Sequence, residues 1–408
     1  MNAGETIEPP IRFPEFKEQW ETKPIARILE RCSTPVDVES ETEYIQIGMR
    51  SHGKGIFHKD AVTGKSLGNK RVFWIHPDCL VMNIIFAWEQ AVGKTTERED
   101  GLIASHRFPM YTPKDKQADI DFIVRFFLRP RGKHLLGLAS PGGAGRNRTL
   151  GQKEFDKLKV VVPTLPEQKK IADFLTSVDE RIGQLIKKKA LLEDYKKGVM
   201  QQLFSQQIRF KDDNGNDFPD WEEKTIDEIA NFRRGSFPQP YGLKKWYDDE
   251  NGFPFIQVYD VGKNFRLKDE TKRQISDLAK DLSVFVPKGS IVITIQGSIG
   301  RIAVTQYDAC CDRTLLIFTE FKVPIAEVYF VYALYLRFEI EARIAVGGTI
   351  KTITKEKLRV FPINLPSVAE QKKIADFLTS VDQKIERVSQ QIAKTQTFKK
   401  GLLQQMFV

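Results

Sequence analysis

The residues best suited to chemistry in this sequence are cationic and amide side chains that cluster near glycines in short segments. The candidates in the first half are Arg50, His52, Lys54, Arg146, Asn147 and Arg148. The candidates in the second half are Arg233, Arg234, Gln296, Ser298, Arg301 and Lys351. Arginine and lysine bind guanine edges and phosphates, asparagine and glutamine pair with adenine, and glycine lets a backbone approach closely. The clusters predict contacts to DNA, and the alternative is a solvated surface.

Patterns for nucleotide binding and for nuclease chemistry are incomplete. The segments that begin at Gly64 and Gly93 end like a Walker A loop, but neither has a glycine five residues earlier. Pro219-Asp220 lies too close to the following acidic residues and lysine for a nuclease motif, and the matching segment has Pro14-Glu15 instead. The sequence therefore predicts neither a phosphate-binding loop nor a nuclease site.

Metal and methyl-donor sites are not predicted either. The cysteines, Cys32, Cys79, Cys310 and Cys311, form no CxxC pair and accompany no histidine cluster. The only Pro-Pro pair, Pro9-Pro10, follows a glutamate, which does not match the Asn/Asp-Pro-Pro-aromatic motif of DNA amino-methyltransferases. We expect no bound metal or cofactor and a reducing, cytoplasmic setting.

Length and charge narrow the class of protein. The 408 residues are 41% hydrophobic, enough for two or three packed domains. The longest apolar run, Val328–Leu336, is too short to span a bilayer. The net charge of +9 suits a polyanionic partner, although solvated surface charge explains it equally well.

A long internal repeat dominates the sequence. Glu167–Asp179 recurs without change at Glu370–Asp382, an offset of 203 residues. The match continues more loosely from Lys196–Phe204 to Lys399–Phe407. Phe13–Phe16 and Trp20–Lys23 echo the segment that starts at Phe218. The chain is therefore one unit written twice, a globular domain followed by a long helix.

Each repeated segment predicts a helix that starts at a capping box, Thr164 with Glu167 and Ser367 with Glu370. Apolar residues follow in alternating steps of three and four, which is typical of a coiled coil. The seam and subunit-docking candidates are Ile171, Leu175, Val178, Ile182, Leu185, Ile374, Leu378, Val381, Ile385 and Val388. Lys189, Lys196 and Lys399 interrupt the seam, where they either fix its register or extend their charge into solvent.

The globular parts share a skeleton but little identity. Cys79–Ala87 and Ile291–Ile295 predict buried strands, preceded by equivalent turns. Ile120–Leu128 and Ile325–Ile344 predict amphipathic helices, each followed by a glycine loop. Divergent detail inside a shared frame indicates two different ligands of one kind.

The duplicated order resembles the specificity subunit of type I restriction-modification enzymes, from Phe13 to Val408. The resemblance rests on the LPEQKKI segment Leu165–Ile171, its second copy at Glu370-Gln371, the opening Phe13–Phe16, and Gln296–Arg301. It implies a mixed α+β fold in which two globular α/β target recognition domains are joined by two long antiparallel coiled-coil helices as a pseudo-twofold repeat. The implied divisions are a disordered tail 1–11, domain one 12–163, spacer helix 164–206, linker 207–216, domain two 217–366 and spacer helix 367–408.

The resemblance also implies the function. Each domain would read one half of a bipartite site in double-stranded DNA, and the helices would set the spacing and dock two methyltransferase subunits. Restriction subunits would join that core. S-adenosylmethionine is then expected on the methyltransferase partners, and ATP with Mg on the restriction partners, with none on this non-catalytic chain.

Two rival interpretations remain open at this stage. A self-contained DNA-modifying enzyme would methylate or cut DNA without partners. A coiled-coil scaffold would bind DNA only nonspecifically, even with its partners present.

Overall fold

A computed structural model of the chain describes residues 8–142, 148–344 and 353–408. Its contacts divide the chain into two units, Met1–Ile186 with Gln390–Val408, and Lys187–Ser389. Two long helices, Leu165–Phe204 and Val368–Gln405, each contribute to both units. Within the described residues, no helix is long and apolar enough to cross a membrane.

In the part of the first unit that the structure describes, there are eleven strands, the start of one long helix and the end of the other. The strands are β1 Glu21–Pro24, β2 Leu29–Cys32, β3 Thr34–Pro35, β4 Glu43–Met49, β5 Ile56–Thr63, β6 Val72–Trp74, β7 Leu80–Met82, β8 Val92–Lys94, β9 Ile103–Ser105, β10 Met110–Pro113 and β11 Lys159–Val162. The helices are α1 Ile25–Ile28, α2 Gly64–Leu67, α3 Ile120–Phe127, α4 Pro130–Leu138, α5 Gln152–Lys157 and α6 Leu165–Phe204, with a 3-10 turn at Ala87–Glu89.

Among its described residues, the second unit contains ten strands, the end of the first long helix and the start of the other. The strands are β12 Glu222–Thr225, β13 Ala230–Arg234, β14 Phe253–Ile256, β15 Arg273–Ile275, β16 Val284–Val286, β17 Ile291–Thr294, β18 Ile302–Val304, β19 Ala309–Cys311, β20 Leu315–Phe321 and β21 Pro362–Leu365. The helices are α7 Ile226–Ile229, α8 Asp277–Lys280, α9 Glu327–Ile344, α10 Lys355–Arg359 and α11 Val368–Gln405, with 3-10 turns at Lys244–Trp246 and Val258–Asp260.

Both units contain the same three kinds of sheet, although the second sheet has five strands in the first unit and four in the second. A four-stranded antiparallel sheet has the order β2-β10-β7-β8 in the first unit and β13-β20-β17-β18 in the second. A second sheet has the order β3-β6-β9-β4-β5 or β15-β14-β19-β16, with one parallel pair in each, β4 with β9 and β14 with β19. A two-stranded ribbon, β1-β11 or β12-β21, leads into each long helix. The predicted mixed fold class and internal repeat are confirmed.

Helices α3 and α9 lie at the predicted positions. The amphipathic prediction is confirmed for α3 but was wrong for α9, which is buried on all sides from Tyr329 to Leu334. Asp119 caps α3, since its carboxylate accepts a hydrogen bond from the Phe122 amide at 2.9 Å. The prediction of one strand over Cys79–Ala87 was wrong in extent. Strand β7 ends at Met82, and the Asn83 carboxamide accepts from the Ile85 amide at 3.0 Å, which turns the chain away from the sheet.

Candidate nucleic-acid interface and the anchoring of the long helices

Four strand termini meet at one end of the second unit's antiparallel sheet. Because neighbouring strands run in opposite directions, the ends of β13 and β17 lie beside the starts of β20 and β18. The predicted residues Arg233 and Arg234 end β13, and the predicted Gln296, Ser298 and Arg301 lie in the loop that joins β17 to β18. The structure therefore brings together two clusters that are about sixty residues apart in sequence.

The β17–β18 loop is held in a defined shape. Its Gly297 and Gly300 have φ angles of 72° and 79°, a region that favours glycine. The buried Thr294 hydroxyl donates to the Ser298 carbonyl and accepts from the Arg301 amide at 3.0 Å. This arrangement leaves Gln296 and Ser298 exposed and Arg301 partly exposed.

The corresponding end of the first unit's sheet is formed by the loop from Asn83 to Ala91, which the sequence did not single out. The turn at Arg50–Lys54 docks on this loop, because the His52 amide donates to the Glu89 carbonyl at 2.7 Å. The Arg148 guanidinium lies 5.7 Å from the centre of the Trp88 ring. The Arg50–Lys54 turn and Arg148 thus lie at the same sheet end.

The outcome for the individual candidates follows from these positions. Arg50, His52 and Lys54 are exposed on the turn between β4 and β5, and the Arg50 guanidinium lies 4.7 Å from the Phe57 ring centre. Three predicted residues, Arg146, Asn147 and Lys351, lie outside the described residues. Contact of any of these residues with DNA stays a prediction.

Two arginines at the same sheet ends escaped the sequence analysis. Arg107 and Arg313 are exposed, and each stands two residues after a corresponding strand, β9 or β19. The Arg313 carbonyl accepts a hydrogen bond from Arg234, and the Arg107 carbonyl accepts from the Ile84 amide at 3.0 Å. Their shared position after a strand was the available signal. Exposed arginines at both sheet ends suit phosphate and guanine binding.

A buried carboxylate anchors the start of each long helix to its domain. Glu167, whose side chain is 0% exposed, accepts from Arg12 Nε at 2.7 Å and from Arg12 Nη2 at 2.8 Å. Glu370, also 0% exposed, accepts from Arg209 Nε at 3.1 Å and Arg209 Nη2 at 2.8 Å. Such two-pronged arginine–carboxylate pairs fix orientation as well as distance.

The capping-box prediction was therefore wrong about these glutamates. Their carboxylates bind arginines from the start of each domain, and the Trp20 and Trp221 indoles donate to them at 3.3 and 3.1 Å. A buried carboxylate is stabilised more by a cation than by a neutral backbone amide. Ser367 alone retains part of the predicted role, because its hydroxyl accepts from the Glu370 amide at 3.4 Å.

The glutamine that follows each glutamate completes the attachment. The Gln168 carbonyl oxygen accepts from the Asp119 amide at 2.9 Å, and its nitrogen donates to Pro163 and Gln117 carbonyls. Gln371 repeats this pattern with the Ala326 amide at 2.8 Å and the Pro366 carbonyl. The invariant Glu-Gln pair of the repeat thus ties each helix start to the helix α3 or α9 of its own unit.

Each unit also binds the end of the other long helix. In the first unit Phe407, near the end of α11, stacks on Phe122 with ring centres 4.9 Å apart. In the second unit Phe204, at the end of α6, stacks on Tyr329 at 5.4 Å. Trp20 contacts Phe122, and Trp221 contacts Tyr329 in the same way. Both domains therefore pack the helix ends with equivalent aromatic rings.

Two lysines of the seam form equivalent ion pairs between the helices. Lys196 lies 2.6 Å from Asp382 in the second unit, and Lys399 pairs with Asp179 in the first. The alternative in which these two lysines merely extend into solvent is wrong. Lys189 instead lies 3.8 Å from Glu193 on its own helix, so the structure gives it no part in the register.

The seam residues pack inside the chain. Eight of the ten predicted residues are buried, and Ile182 and Ile385 are partly buried. In each unit the start of one long helix shares a core with the end of the other, as Leu175 does with Met406 and Leu378 with Leu203. Their role in docking a partner subunit stays a prediction.

Comparisons with known proteins agree with this arrangement. The family described as "Type I restriction modification DNA specificity domain" matches residues 77–193 and 219–395. A putative MjaX specificity subunit of Methanocaldococcus jannaschii is 29% identical over 246 residues, which cover 58% of this chain and 56% of that relative. The MjaVIII specificity subunit of the same organism is 24% identical over 363 residues, which cover 85% of this chain and 79% of the relative.

Solved structures share the fold over almost the entire chain. The HsdS subunit of Thermoanaerobacter tengcongensis superposes with a TM-score of 0.54 at 18% identity and 97% coverage of both chains. The S subunit of a type I restriction-modification system from M. genitalium superposes with a TM-score of 0.56 at 15% identity, covering 98% of this chain and 99% of that one.

Proposed function

Because this chain belongs to the type I restriction-modification DNA specificity family, we propose that it selects the DNA sites at which a type I complex acts. Each globular domain reads one half of a bipartite site in double-stranded DNA. The chain itself performs no chemistry in this proposal. It positions a target adenine for a methyltransferase partner that carries S-adenosylmethionine.

One observation carries the proposal. The two domains share one frame of sheets and helix anchors, but different side chains lie at their equivalent sheet ends. Arg12 and Arg209 anchor the two helix starts in the same way, whereas the candidate DNA-contacting side chains differ between the domains. Arg50 directly follows β4, whereas Gln257 directly follows the corresponding strand β14. Two sets of base-reading side chains on one frame suit a site whose halves have different sequences.

The long helices support the remaining roles, which are spacing and partner binding. At 1.5 Å per residue, a helix of 40 residues is roughly 60 Å long, longer than the roughly 34–36 Å between half-sites one DNA turn apart. Tyr195 and Phe398, equivalent in the repeat, are 51% and 54% exposed. A repeated exposed aromatic suits two copies of one methyltransferase subunit, and restriction subunits with ATP and Mg would join that assembly.

The test is expression of the chain with its methyltransferase partner, followed by mapping of every methylated base in the host genome. We expect one bipartite site with a fixed spacer. Exchanging residues 217–360 for another recognition domain should change one half-site only. Methylation without any bipartite site, or changes in both halves, would refute the proposal.

A second variant separates spacing from reading. Removing one heptad from each long helix should change the spacer or abolish methylation while both half-site sequences persist. A matched chain that carries conservative substitutions over the same heptads controls for altered folding. A changed half-site would contradict the role of the helices as spacers.

A further inference from the structure

A buried carboxylate starts a chain of hydrogen bonds at the sheet end of the second unit. Asp312 follows β19 directly and is 2% exposed. One of its oxygens accepts from the Thr314 amide at 2.9 Å and the Thr314 hydroxyl at 2.6 Å. Its other oxygen accepts from the Tyr241 hydroxyl at 2.9 Å. The carboxylate is thus fixed by three donors.

The Asp312 carboxylate determines which group donates and which accepts in each of the hydrogen bonds that follow. A carboxylate only accepts, so Tyr241 must donate to it, and the Tyr241 oxygen can then accept from the Gln257 amide nitrogen. Burial raises the pKa of Tyr241, which keeps this hydroxyl protonated. The Gln257 oxygen must then face Tyr259, whose hydroxyl donates to it. The amide of Gln257 therefore has one orientation.

Gln257 lies among the candidate DNA contacts of the second unit. It follows β14 directly and is partly exposed. The next residue, Val258, packs closely against Gly297 of the β17–β18 loop, since a Cβ atom added to Gly297 would lie 3.4 Å from the Val258 side chain. The Arg313 guanidinium is 5.9 Å from the Tyr241 ring centre, and Lys272 Nζ is 4.9 Å from that of Tyr259. Two cations that can bind phosphates thus lie beside the tyrosines that orient this amide.

The amide nitrogen of Gln257 keeps a hydrogen for a ligand. Of its two hydrogens, one goes to Tyr241, and in the described parts of the chain no second acceptor engages the other. Purines present the acceptor N7 in the major groove, and glutamine is suited to it. The first unit has Arg50 directly after the corresponding strand β4, so the two domains differ at this point.

On the basis of the proposed function, we propose that Gln257 determines specificity in the second domain by donating its free amide hydrogen to a purine N7. Asp312 and Tyr241 act as positioning residues, because they fix which end of the amide faces the DNA. No covalent bond is made or broken, and the effect is selection of a purine at one position of the second half-site.

The central test is Gln257→Glu in the chain expressed with its methyltransferase partner, read out by genome-wide mapping of methylated sites. A glutamate has no hydrogen to donate and accepts from the cytosine amino group instead. We expect purine preference at one position of the second half-site to fall roughly 2- to 13-fold, the value of one hydrogen bond, with cytosine gaining. The first half-site should not change. An unchanged second half-site would overturn the inference.

A second variant, Tyr241→Phe, tests the positioning role because it keeps the aromatic ring and removes only the hydroxyl that links Asp312 to Gln257. We expect weaker discrimination at the same base, with unchanged affinity for nonspecific DNA. Loss of all binding, or discrimination equal to that of the unmodified chain, would contradict the role. As a matched control, Arg50→Ala should alter only the first half-site.

If the unmodified complex methylates no bipartite site, the proposed function fails, whereas a bipartite site insensitive to Gln257→Glu overturns this inference alone.

Discussion

The paired anchors on the long helices allow a controlled perturbation, since Arg12→Met acts on the first unit and Arg209→Met on the second. Each substitution removes the cation and keeps a side chain of similar length. Glu167 would then lie fully buried with only the Trp20 indole as a strong donor. We expect the start of α6 to loosen in the first variant and the start of α11 in the second.

The magnitude follows from burial. Removing one partner of a buried ion pair costs about 3–5 kcal/mol, because it leaves an uncompensated charge. Arg12 is 13% exposed, which favours the lower end of that range. A cost of about 3 kcal/mol increases local opening roughly a hundredfold. Glu167→Gln removes the fully buried charge and keeps an acceptor for Trp20, while the Arg12 guanidinium still donates to the Glu18 carbonyl and lies 3.4 Å from Glu8. Its cost should therefore be lower than that of Arg12→Met, about 1.5 kcal/mol, the lower value for a hydrogen bond to a charged group.

Hydrogen–deuterium exchange measures this opening segment by segment. Arg12→Met should accelerate exchange roughly a hundredfold in the amides of residues 169–178 and leave residues 372–381 unchanged, and Arg209→Met should do the reverse. The reasoning would be refuted by equal acceleration of both segments in either variant. It would also be refuted if Glu167→Gln accelerated exchange as much as Arg12→Met.

Three other predictions concern the helix ends, the sheet ends and the thiols. Phe407→Ala should destabilise the first unit by about 3–5 kcal/mol, because the ring is buried, and exchange in α3 should report it; unchanged α3 protection would contradict the stacking role. Arg107→Ala and Arg313→Ala should each lower the slope of log affinity against log salt by about 0.9 if the lost contact is a phosphate, measured by titration with duplex DNA, and an unchanged slope would exclude that contact. Burial raises the pKa of Cys79 to about 11, so the reactive thiolate is scarce at neutral pH and increases as the pH rises, and Cys32, which is partly exposed, should react first with a maleimide monitored by mass spectrometry. Faster labelling of Cys79 would show that its site opens.

The local sequence pattern was sufficient to predict the long helices and the duplication. The spacing of Ile171, Leu175 and Val178 predicts a buried seam because helical geometry repeats every 3.6 residues whatever surrounds it. The same is true of α3. Strand extent was less predictable, since Cys79–Ala87 is apolar throughout and only the turn chemistry at Asn83 ends β7.

Partners distant in sequence could not be predicted in this way. Arg12 and Glu167 are 155 residues apart, and no spacing rule connects them. The sequence pattern predicted a local partner for Glu167 at the helix start, Thr164. In the folded structure the Glu167 carboxylate binds Arg12 instead. The relay from Asp312 to Gln257 arises in the same manner, because β14, β19 and the segment at Tyr241 meet only in the folded sheet.

The sequence by itself thus determined the repeated architecture and the two helices, and it predicts the kind of side chain that could read DNA. Periodicity and identity are properties of the chain, and they persist in any structure that buries the seam. The tertiary structure alone decided which strand ends come together and which carboxylates are neutralised by Arg12 and Arg209. It also decided the orientation of Gln257. The physical reason is that burial and hydrogen-bond direction depend on neighbours that long-range packing brings into contact.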